Sequence, residues 1–442
     1  MLMITSYAVN NTIRNKSRIK DIIIVFLIFL FIYYPPLFGI NIMHILAAVS
    51  YVYILSNETA MLSFKQNFSK YRYFIFVFLY LFMVCFINAQ LSNLSGGFVW
   101  LFEVIPITFM IIDMIHSNNI NTKKVSVWNY LIAAGMLQAV ISILAFAIPA
   151  VQDLIIQRML AYGFRDVIIK MSGHRMYGFS YTMSFAMPVV QSILAAVCVY
   201  KAFMEKLRYL ILVPFLLFSS IINARVGIVV FVIAGIIALI ASAKISLKNV
   251  IALVAVIAMI IAVPKIFANL LEGSKTFDWL QEGINEITDF IFDYETSDGY
   301  FSYVTDKQRY KTPEGIGFFF GTGNISTRGN ENYASDIGFI NDMWLGGVFY
   351  VIPLLVYFLG RTNRIMNFYF NGKSVCKPVS LITIVMLLII NIKGRCFSWN
   401  EIMNLWFLVY TFVITKYFYD EEKERSYDLG KSDSRRGSLQ QC

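Results

Sequence analysis

Arg225 is the charged residue of this sequence whose surroundings point most clearly to chemistry. It lies in the run Phe218-Ser-Ser-Ile-Ile-Asn-Ala-Arg-Val-Gly-Ile-Val-Val-Phe, between two long apolar stretches and with no acidic residue nearby in the chain. A guanidinium group is costly at membrane depth, and its planar fork of N–H donors fits phosphate oxygens. The pattern indicates a phosphate-binding group at the membrane boundary. An arginine that only anchors a helix end is the alternative.

Arg175 is the second candidate, within the run Gly173-His-Arg-Met-Tyr-Gly-Phe-Ser-Tyr that precedes another apolar stretch. The two glycines allow a close backbone approach, so this arginine is a second candidate for binding an anionic group. Tyr177, beside it, is a candidate substrate-binding residue. The alternative is a structural turn that carries one solvated arginine.

A glycine-rich run forms the third candidate. It reads Gly315-Ile-Gly-Phe-Phe-Phe-Gly-Thr-Gly-Asn, and Arg328 and Tyr333-Ala-Ser-Asp-Ile-Gly-Phe follow it. No Gly-Lys-Ser/Thr follows the glycines, so the run is not a nucleotide-binding P-loop. Asp336 heads a predicted helix and is a candidate general base, although a Ser-Asp pair there is also typical of a helix N-cap. The two roles are compatible.

The segment 267–336 contains twelve acidic residues and five basic ones. Most of them are expected to form a solvated helix face. Acidic and aromatic residues together also suit sugar binding, and Arg309 and Glu314 are candidate substrate-binding residues in this group. The five cysteines of the chain show no CxxC or other metal-ligand spacing, so no metal site and no cofactor are predicted.

Membrane-spanning helices must position these residues, because the chain is too apolar for a typical soluble protein. Of its 442 residues, 58% are hydrophobic and 14% are charged, and the mean hydropathy is +0.64. Its long apolar runs approach the length of a helical span, whereas a β-barrel would show alternation over about ten residues. The sequence predicts an all-α polytopic membrane protein with about twelve spans, at 21–39, 41–56, 73–89, 98–115, 127–149, 180–200, 209–223, 226–243, 249–266, 338–360, 379–394 and 401–418.

The distribution of charge predicts the orientation of these spans. Lys and Arg are concentrated in alternate connections and at both termini, while the turn at 90–97 contains neither. The positive-inside rule then places both termini in the cytoplasm, and it accounts for most of the net charge of +10 without a nucleic-acid partner. The first apolar run lacks a small-x-small cleavage site, so it is expected to remain as an uncleaved span.

The predicted organisation has four parts: nine spans in 1–266, a large extracytoplasmic loop at 267–337, three spans in 338–419, and a disordered cytoplasmic tail at 420–442. Two further features concern single segments. A second outer segment, at about 150–179, has the pattern of a helix lying in the membrane interface. Glu103, the clearest ionisable residue within a span, is expected either to have an inner partner or to be protonated.

Three of these patterns together resemble the bacterial O-antigen and capsule repeat-unit polymerases (Wzy type), in the superfamily that also contains the O-antigen ligases. They are Ala-Arg-Val-Gly around Arg225, Arg-x-x-Gly at Arg175, and a large outer loop ending in Phe-Gly-Thr-Gly and Ser-Asp-x-Gly. The resemblance covers most of the chain in topology, through short motifs. It implies a GT-C-like fold and a metal-independent membrane glycosyltransferase.

The resemblance also implies a reaction, in which a growing glycan is transferred from undecaprenyl diphosphate to a sugar hydroxyl of another lipid-linked repeat unit. The site would lie on the outer face of the cytoplasmic membrane. Arg225 and Arg175 match the family's arginines and would neutralise the diphosphate leaving group. Asp336 would activate the acceptor, and Arg328 would position the substrate. A flippase and a chain-length regulator are the expected protein partners.

Three alternatives stay open. O-antigen ligases have a functional histidine in the large outer loop, but the only histidines here are His44, His116 and His174, which favours a polymerase over a ligase. A lipid-linked oligosaccharide flippase or polysaccharide exporter fits the number of spans, although a route for an anionic glycan should contain several cations. A scaffold or sensor would leave Arg225 without a role.

Overall fold

The computed structural model describes residues 2–35, 41–118, 126–161, 175, 178–182, 184–224, 226–241, 254, 278, 307–325, 335, 337–361, 383, 386–392, 394–416, 418 and 419. Every regular element within these residues is a helix, and none is a strand. The predicted all-α class is therefore confirmed for them. The count of twelve spans and the GT-C-like arrangement stay predictions.

The first half of the chain contributes nine α-helices in the described residues. Asparagine side chains begin two of them, because Asn41 accepts a hydrogen bond from the Met43 amide and Asn57 accepts one from the Ala60 amide. The helices are α1 (Leu2–Tyr33), α2 (Ile42–Ser56), α3 (Glu58–Phe68), α4 (Arg72–Ile87), α5 (Ser95–Val99), α6 (Ile105–Asn118), α7 (Val127–Ala147), α8 (Pro149–Ala161) and α9 (Ala186–Met204).

Further helices follow from Val213 onward. Every residue of 401–415 is buried, so the last helix lies inside the helical bundle. The helices are α10 (Val213–Ile221), α11 (Val226–Ala241), α12 (Ile316–Phe320), α13 (Gly338–Gly346), α14 (Val348–Val356), α15 (386–390) and α16 (401–416).

Four continuous helical segments are long and apolar enough to cross a membrane: Glu58–Ile87, Leu91–Asn118, Val127–Ala147 and Ala186–Met204. They overlap the third to sixth predicted spans. Shorter apolar helices overlap the second, seventh, eighth and tenth spans, at Ile42–Ser56, Leu207–Ile221, Val226–Ile237 and Val348–Gly360. The ninth predicted span, 249–266, lies outside the described residues apart from residue 254.

A π-helical turn, Trp100–Val104, joins α5 to α6. Pro106 has no amide hydrogen, so the carbonyl of Phe102 loses its usual helical donor. The hydroxyl of Tyr51 supplies a replacement at 2.9 Å. In the same turn, Glu103 Oε1 lies 2.9 Å from His44 Nδ1, so Glu103 has a partner, which is the first of the two predicted alternatives.

Helix α9 lies at the centre of the N-terminal half. All of its residues except Met204 are buried, and it contacts α7, α10 and α11. Helix α8 occupies the start of the predicted interfacial segment at 150–179, with Ile155 and Met159 buried and Leu154 exposed. This division between a buried and an exposed apolar side suits an interfacial helix, and residues 162–174 lie outside the described part.

The connections that carry the sequence motifs meet at one end of the bundle, called the loop end. It comprises the end of α1, the end of α4, the turn between α10 and α11, and the beginnings of α9, α13 and α16. Direct contacts join α1 to two of these parts: the Tyr181 amide donates to the Tyr33 carbonyl at 3.1 Å, and the Asn404 side chain donates to the Phe31 carbonyl at 2.9 Å. At the opposite end, Asp113 accepts hydrogen bonds from the hydroxyls of Tyr53 and Tyr419.

Candidate functional site

Three of the seven predicted site residues lie in the described part of the chain: Arg175 and Arg309, which are half-buried, and Glu314, which is exposed. The other four, Tyr177, Arg225, Arg328 and Asp336, lie outside it. Their predicted roles stay predictions, and the geometry of the site is built from the residues on either side of them.

The turn that contains Arg225 is fixed by serine hydroxyls from two helices. Ser192 Oγ donates to the Gly227 carbonyl, and Ser220 Oγ donates to the Pro188 carbonyl, each at 2.7 Å. The two hydroxyl oxygens lie 2.7 Å apart. A Cβ atom on Gly227 would lie 2.0 Å from Ser220 Oγ, so the glycine of Ala-Arg-Val-Gly is required by packing. Helix α11 begins directly after Arg225.

Asn223 lies two residues before Arg225 and is fully buried. Its side-chain amide donates to the Ser219 carbonyl at 2.7 Å, but its Oδ1 atom has no hydrogen-bond partner within the described residues. The buried Oγ atom of Ser219 also has none. Buried polar atoms are rarely left without a hydrogen bond. These two atoms could therefore bind a further polar group beside the predicted phosphate-binding arginine.

The segment after Arg175 is held by a buried carboxylate that the sequence analysis did not identify. Glu401, at the start of α16, is fully buried. Its Oε1 atom accepts hydrogen bonds from Ser180 Oγ at 2.5 Å and from the Thr182 amide at 3.3 Å, and its Oε2 atom accepts one from Thr182 Oγ1 at 2.6 Å. Three neutral donors thus satisfy the carboxylate and attach this segment to α16.

Gly178, the glycine of Arg-x-x-Gly, has a φ of +58°. A Cβ atom there would lie 2.8 Å from Gln138 Nε2 and 2.9 Å from Ser142 Oγ, both on α7. Only glycine combines this backbone conformation with so close a packing. The motif glycines at 178 and 227 are therefore explained by packing against the helices that flank the two predicted arginines.

An aromatic group lies beside Glu401. The rings of Tyr34, Tyr181 and Trp399 have centroids 5.0 to 5.6 Å apart. The hydroxyl of Tyr34 and the indole nitrogen of Trp399 are buried, and neither has a hydrogen-bond partner among the described residues. Such rings provide both stacking area and spare donors, which are the features that sugar-binding surfaces use.

A second buried carboxylate joins α13 to the connection before α16. Asp342 Oδ1 accepts a hydrogen bond from Arg395 Nε at 2.9 Å, and its Oδ2 atom accepts one from Asn391 Nδ2 at 3.0 Å. Burial lowers the pKa of the Arg395 guanidinium, but the attraction of Asp342 outweighs that effect, and the pKa is raised above its ordinary value. The Asn391 Oδ1 atom accepts the Cys396 amide at 2.7 Å.

The start of α13 differs from the predicted N-cap. The helix begins at Gly338 with Ile337 in the cap position and no side-chain cap. The hydroxyl of Ser335 accepts a hydrogen bond from the Ile337 amide at 3.2 Å instead. The predicted Ser-Asp pair therefore precedes the helix, and the Ser335 hydroxyl binds the backbone just before the helix begins.

Asp342, Arg395 and Glu401 are residues that sequence reasoning missed. Asp342 falls inside the tenth predicted span. Glu401 is the first residue of the twelfth, where a carboxylate is readily interpreted as a residue that begins a helix. Arg395 lies with Lys393 in a short connection between two apolar stretches, a position similar to the one that drew attention to Arg225. That signal could have found it.

Buried charged residues of the described part are mainly acidic: Glu103, Asp113, Asp342 and Glu401, against Lys201. Lys201 pairs with Glu205 at 2.7 Å near the opposite end of the bundle. No three His, Cys, Asp or Glu side chains of the described residues group as metal ligands. No protein-family model matches the sequence, and a search of curated proteins finds no match either.

Proposed function

We propose that the chain is a membrane glycosyltransferase that polymerises polysaccharide repeat units. It would transfer a growing glycan from undecaprenyl diphosphate to a lipid-linked oligosaccharide on the outer face of the cytoplasmic membrane, in O-antigen, capsule or exopolysaccharide synthesis. The observation that carries the proposal is the meeting of three motif-bearing segments at the loop end. The Arg175 segment, the turn at Arg225 and the glycine-rich segment all reach that end of one helical bundle.

In the proposed reaction, the acceptor hydroxyl attacks the anomeric carbon of the donor glycan. The bond between that carbon and the diphosphate oxygen breaks as the new glycosidic bond forms, and undecaprenyl diphosphate leaves. Arg225 and Arg175 bind the diphosphate and stabilise the charge that develops on it. Asp336 accepts the proton of the attacking hydroxyl. Arg328, Arg309, Glu314 and Tyr177 position the glycan.

The buried charges favour this function over a flippase. A route that carries an anionic glycan through the membrane would be stabilised by buried cations. In the described part, the buried charges are four carboxylates and Lys201, which pairs with Glu205, while the largely buried Arg395 pairs with Asp342 and is 18% exposed. A site that binds the diphosphate only at the loop end needs cations only there, as Arg175 and Arg225 would supply.

The test is polymerisation of purified lipid-linked repeat units by the reconstituted protein, with lipid flipping followed in parallel. Arg225→Ala should lower the rate by about 10²- to 10³-fold, the range expected when one electrostatic contact to a developing oxyanion is lost. Arg225→Lys should retain part of the rate, because lysine keeps the charge but lacks the planar fork. Arg208→Ala is the matched control, since Arg208 is exposed near the opposite end.

Polymer ladders in the wild type and in Arg208→Ala, with ladders lost in Arg225→Ala, would support the proposal. Flipping without ladders in the wild type would instead make the protein a transporter. Equal rates for Arg225→Ala and Arg208→Ala would remove Arg225 from the reaction and leave it the role of a helix anchor.

A further inference from the structure

The short helix α12 presents large apolar side chains outward. Ile316 is 79% exposed and Phe319 is 50% exposed, and Phe318 and Phe320 are exposed as well. The segment 315–323 contains no charged residue. The predicted extracytoplasmic loop includes this segment, and such a group of phenylalanines would be unfavourable in water.

Several backbone groups of this segment are hydrogen-bonded within the protein. Within the segment, the Phe318 amide donates to the Gly315 carbonyl at 3.3 Å, and the Gly321 amide donates to the Gly317 carbonyl at 2.8 Å. The Phe320 carbonyl accepts a hydrogen bond from the Tyr80 hydroxyl at 3.1 Å. Non-helical backbone at membrane depth is tolerated only where its polar groups are satisfied in this way.

Backbone contacts attach the segment to the last turn of α13. The Thr322 amide donates to the Trp344 carbonyl at 2.7 Å, and the Gly323 amide donates to the Leu345 carbonyl at 3.1 Å. A Cβ atom on Gly321, whose φ is +80°, would lie 2.5 Å from Gly346 Cα. The backbones of these two segments are thus in contact, and α12 is fixed against α13 and α14.

The exposed face of α12 continues two lipid-facing surfaces. The Phe320 and Phe349 ring centroids lie 5.1 Å apart, which joins α12 to the start of α14. The Tyr80 hydroxyl joins it to α4: this single O–H donor lies 2.8 Å from the Gly346 carbonyl and 3.1 Å from the Phe320 carbonyl. Exposed apolar residues extend along both helices: Phe76, Leu79, Met83 and Phe86 on α4, and Phe349, Ile352 and Val356 on α14.

We propose that residues 315–323 form a re-entrant segment that lies within the bilayer, with α12 covered by the hydrocarbon chains of the lipids at the loop end. Polar and amphipathic residues precede it in the chain, as is typical of residues at a membrane surface. Tyr310, Lys311 and Glu314 are exposed, and the Trp344 indole donates to the Lys311 carbonyl at 2.9 Å. The inference does not depend on the proposed polymerase activity.

The experiment measures the depth of a nitroxide spin label in the full-length protein, reconstituted in phosphatidylcholine vesicles. Cys376 and Cys442 are replaced by serine, while Cys85, Cys198 and Cys396 are buried and stay. One cysteine is then introduced per protein: Phe319→Cys for the segment, Leu79→Cys on the face of α4, and Glu314→Cys five residues before Phe319. Collision rates with oxygen and with a water-soluble nickel chelate are compared.

The label on Phe319→Cys should collide often with oxygen and lose its collisions with nickel, as the label on Leu79→Cys does. The label on Glu314→Cys should show frequent nickel collisions. Ile316→Cys repeats the measurement at a second exposed position, so that a defect of one variant does not decide the result. Agreement of both positions with Leu79→Cys would support the proposal.

Three results would overturn it. Nickel collisions at positions 316 and 319 as frequent as at Glu314→Cys would place the segment in water. Low collision rates with both reagents, together with dipolar broadening between labels, would mean that a second copy of the chain covers the face. Exclusion of nickel only after a polyprenyl phosphate is added would make the face a groove for an isoprenoid chain.

Discussion

Glu401 and Asp342 are both fully buried carboxylates at the loop end, yet their partners differ in kind. Glu401 is surrounded by neutral donors, the Ser180 hydroxyl and the hydroxyl and amide of Thr182. Asp342 is bound by the cation Arg395 and by the Asn391 amide group. Glu401 fixes the segment after Arg175. Asp342 fixes α13 and therefore also the position at which the chain enters this helix after Ser335.

This difference separates an adaptable contact from a rigid one. A hydroxyl can donate or accept, so the partners of Glu401 can serve a carboxylate, a carboxylic acid or an amide. A guanidinium can only donate, and its charge is permanent. The Asp342 region should therefore fail when either partner is changed, whereas the Glu401 region should tolerate a change of charge at constant shape.

Arg395→Met should have the largest effect, because it leaves the Asp342 carboxylate buried without a cation. Removing one partner of a buried ion pair costs about 3–5 kcal/mol, and the free energy of unfolding in detergent should fall by that amount. Arg208→Met, at an exposed position, should change it by less than about 0.5 kcal/mol.

The double variant Asp342→Leu with Arg395→Met sharpens this first prediction. Replacing both charges removes the unpaired carboxylate, so much of the lost stability should return. A double variant that is less stable than Arg395→Met by the full effect of Asp342→Leu would show that the two side chains are not coupled.

The second prediction compares two isosteric changes, Asp342→Asn and Glu401→Gln. An amide at 342 would leave Arg395 without its counter-charge and would turn an NH₂ group toward the NH₂ group of Asn391, whose own oxygen already accepts the Cys396 amide. We expect the free energy of unfolding to fall by about 2–3 kcal/mol. In Glu401→Gln, the amide oxygen can accept from the Ser180 hydroxyl and the NH₂ group can donate to the Thr182 hydroxyl. We therefore expect the free energy of unfolding to fall by only about 1 kcal/mol.

Chemical denaturation of both variants in the same detergent measures this difference. Equal losses would mean that the charge of Arg395 contributes little and that the two regions are alike. A larger loss for Glu401→Gln would mean that the carboxylate charge itself, rather than its shape, orders the segment after Arg175.

Much of this architecture follows from sequence patterns alone. Apolar runs predicted helices at the positions of α2, α7 and α9, because a chain in a membrane must satisfy its backbone within each span. The glycines beside Arg175 predicted a close backbone approach, and Gly178 does pack tightly against α7; the equally tight packing of Gly227 against Ser220 was not predicted. Helix positions and glycine positions depend on residues that are close together in the chain, so local patterns in the sequence are enough to predict them.

The buried carboxylates could not be predicted in the same way. Ser180 and Glu401 are 221 residues apart in the chain, and Asp342 and Arg395 are 53 apart. Their pairing depends on which helices pack together, a tertiary property that no local pattern encodes. The position of α12 is tertiary for the same reason: its long loop predicted an aqueous segment, whereas close backbone contacts of Gly321 with Gly346 and of Gly347 with Phe319 attach it to α13 and α14.

Thr182→Val should have a smaller effect than Arg395→Met or Asp342→Asn, because it removes one of three donors to Glu401 and leaves Ser180 Oγ and the Thr182 amide on Oε1. Valine keeps the shape of threonine, so the free energy of unfolding should fall by the value of one hydrogen bond to a carboxylate, about 1.5 kcal/mol. Ser117→Ala is the control, since the Ser117 hydroxyl is exposed and donates to the Met114 carbonyl of its own helix. If Thr182→Val were as stable as Ser117→Ala, the Thr182 hydroxyl would not be a partner that Glu401 needs, and the carboxylate would be bound through Oε1 alone.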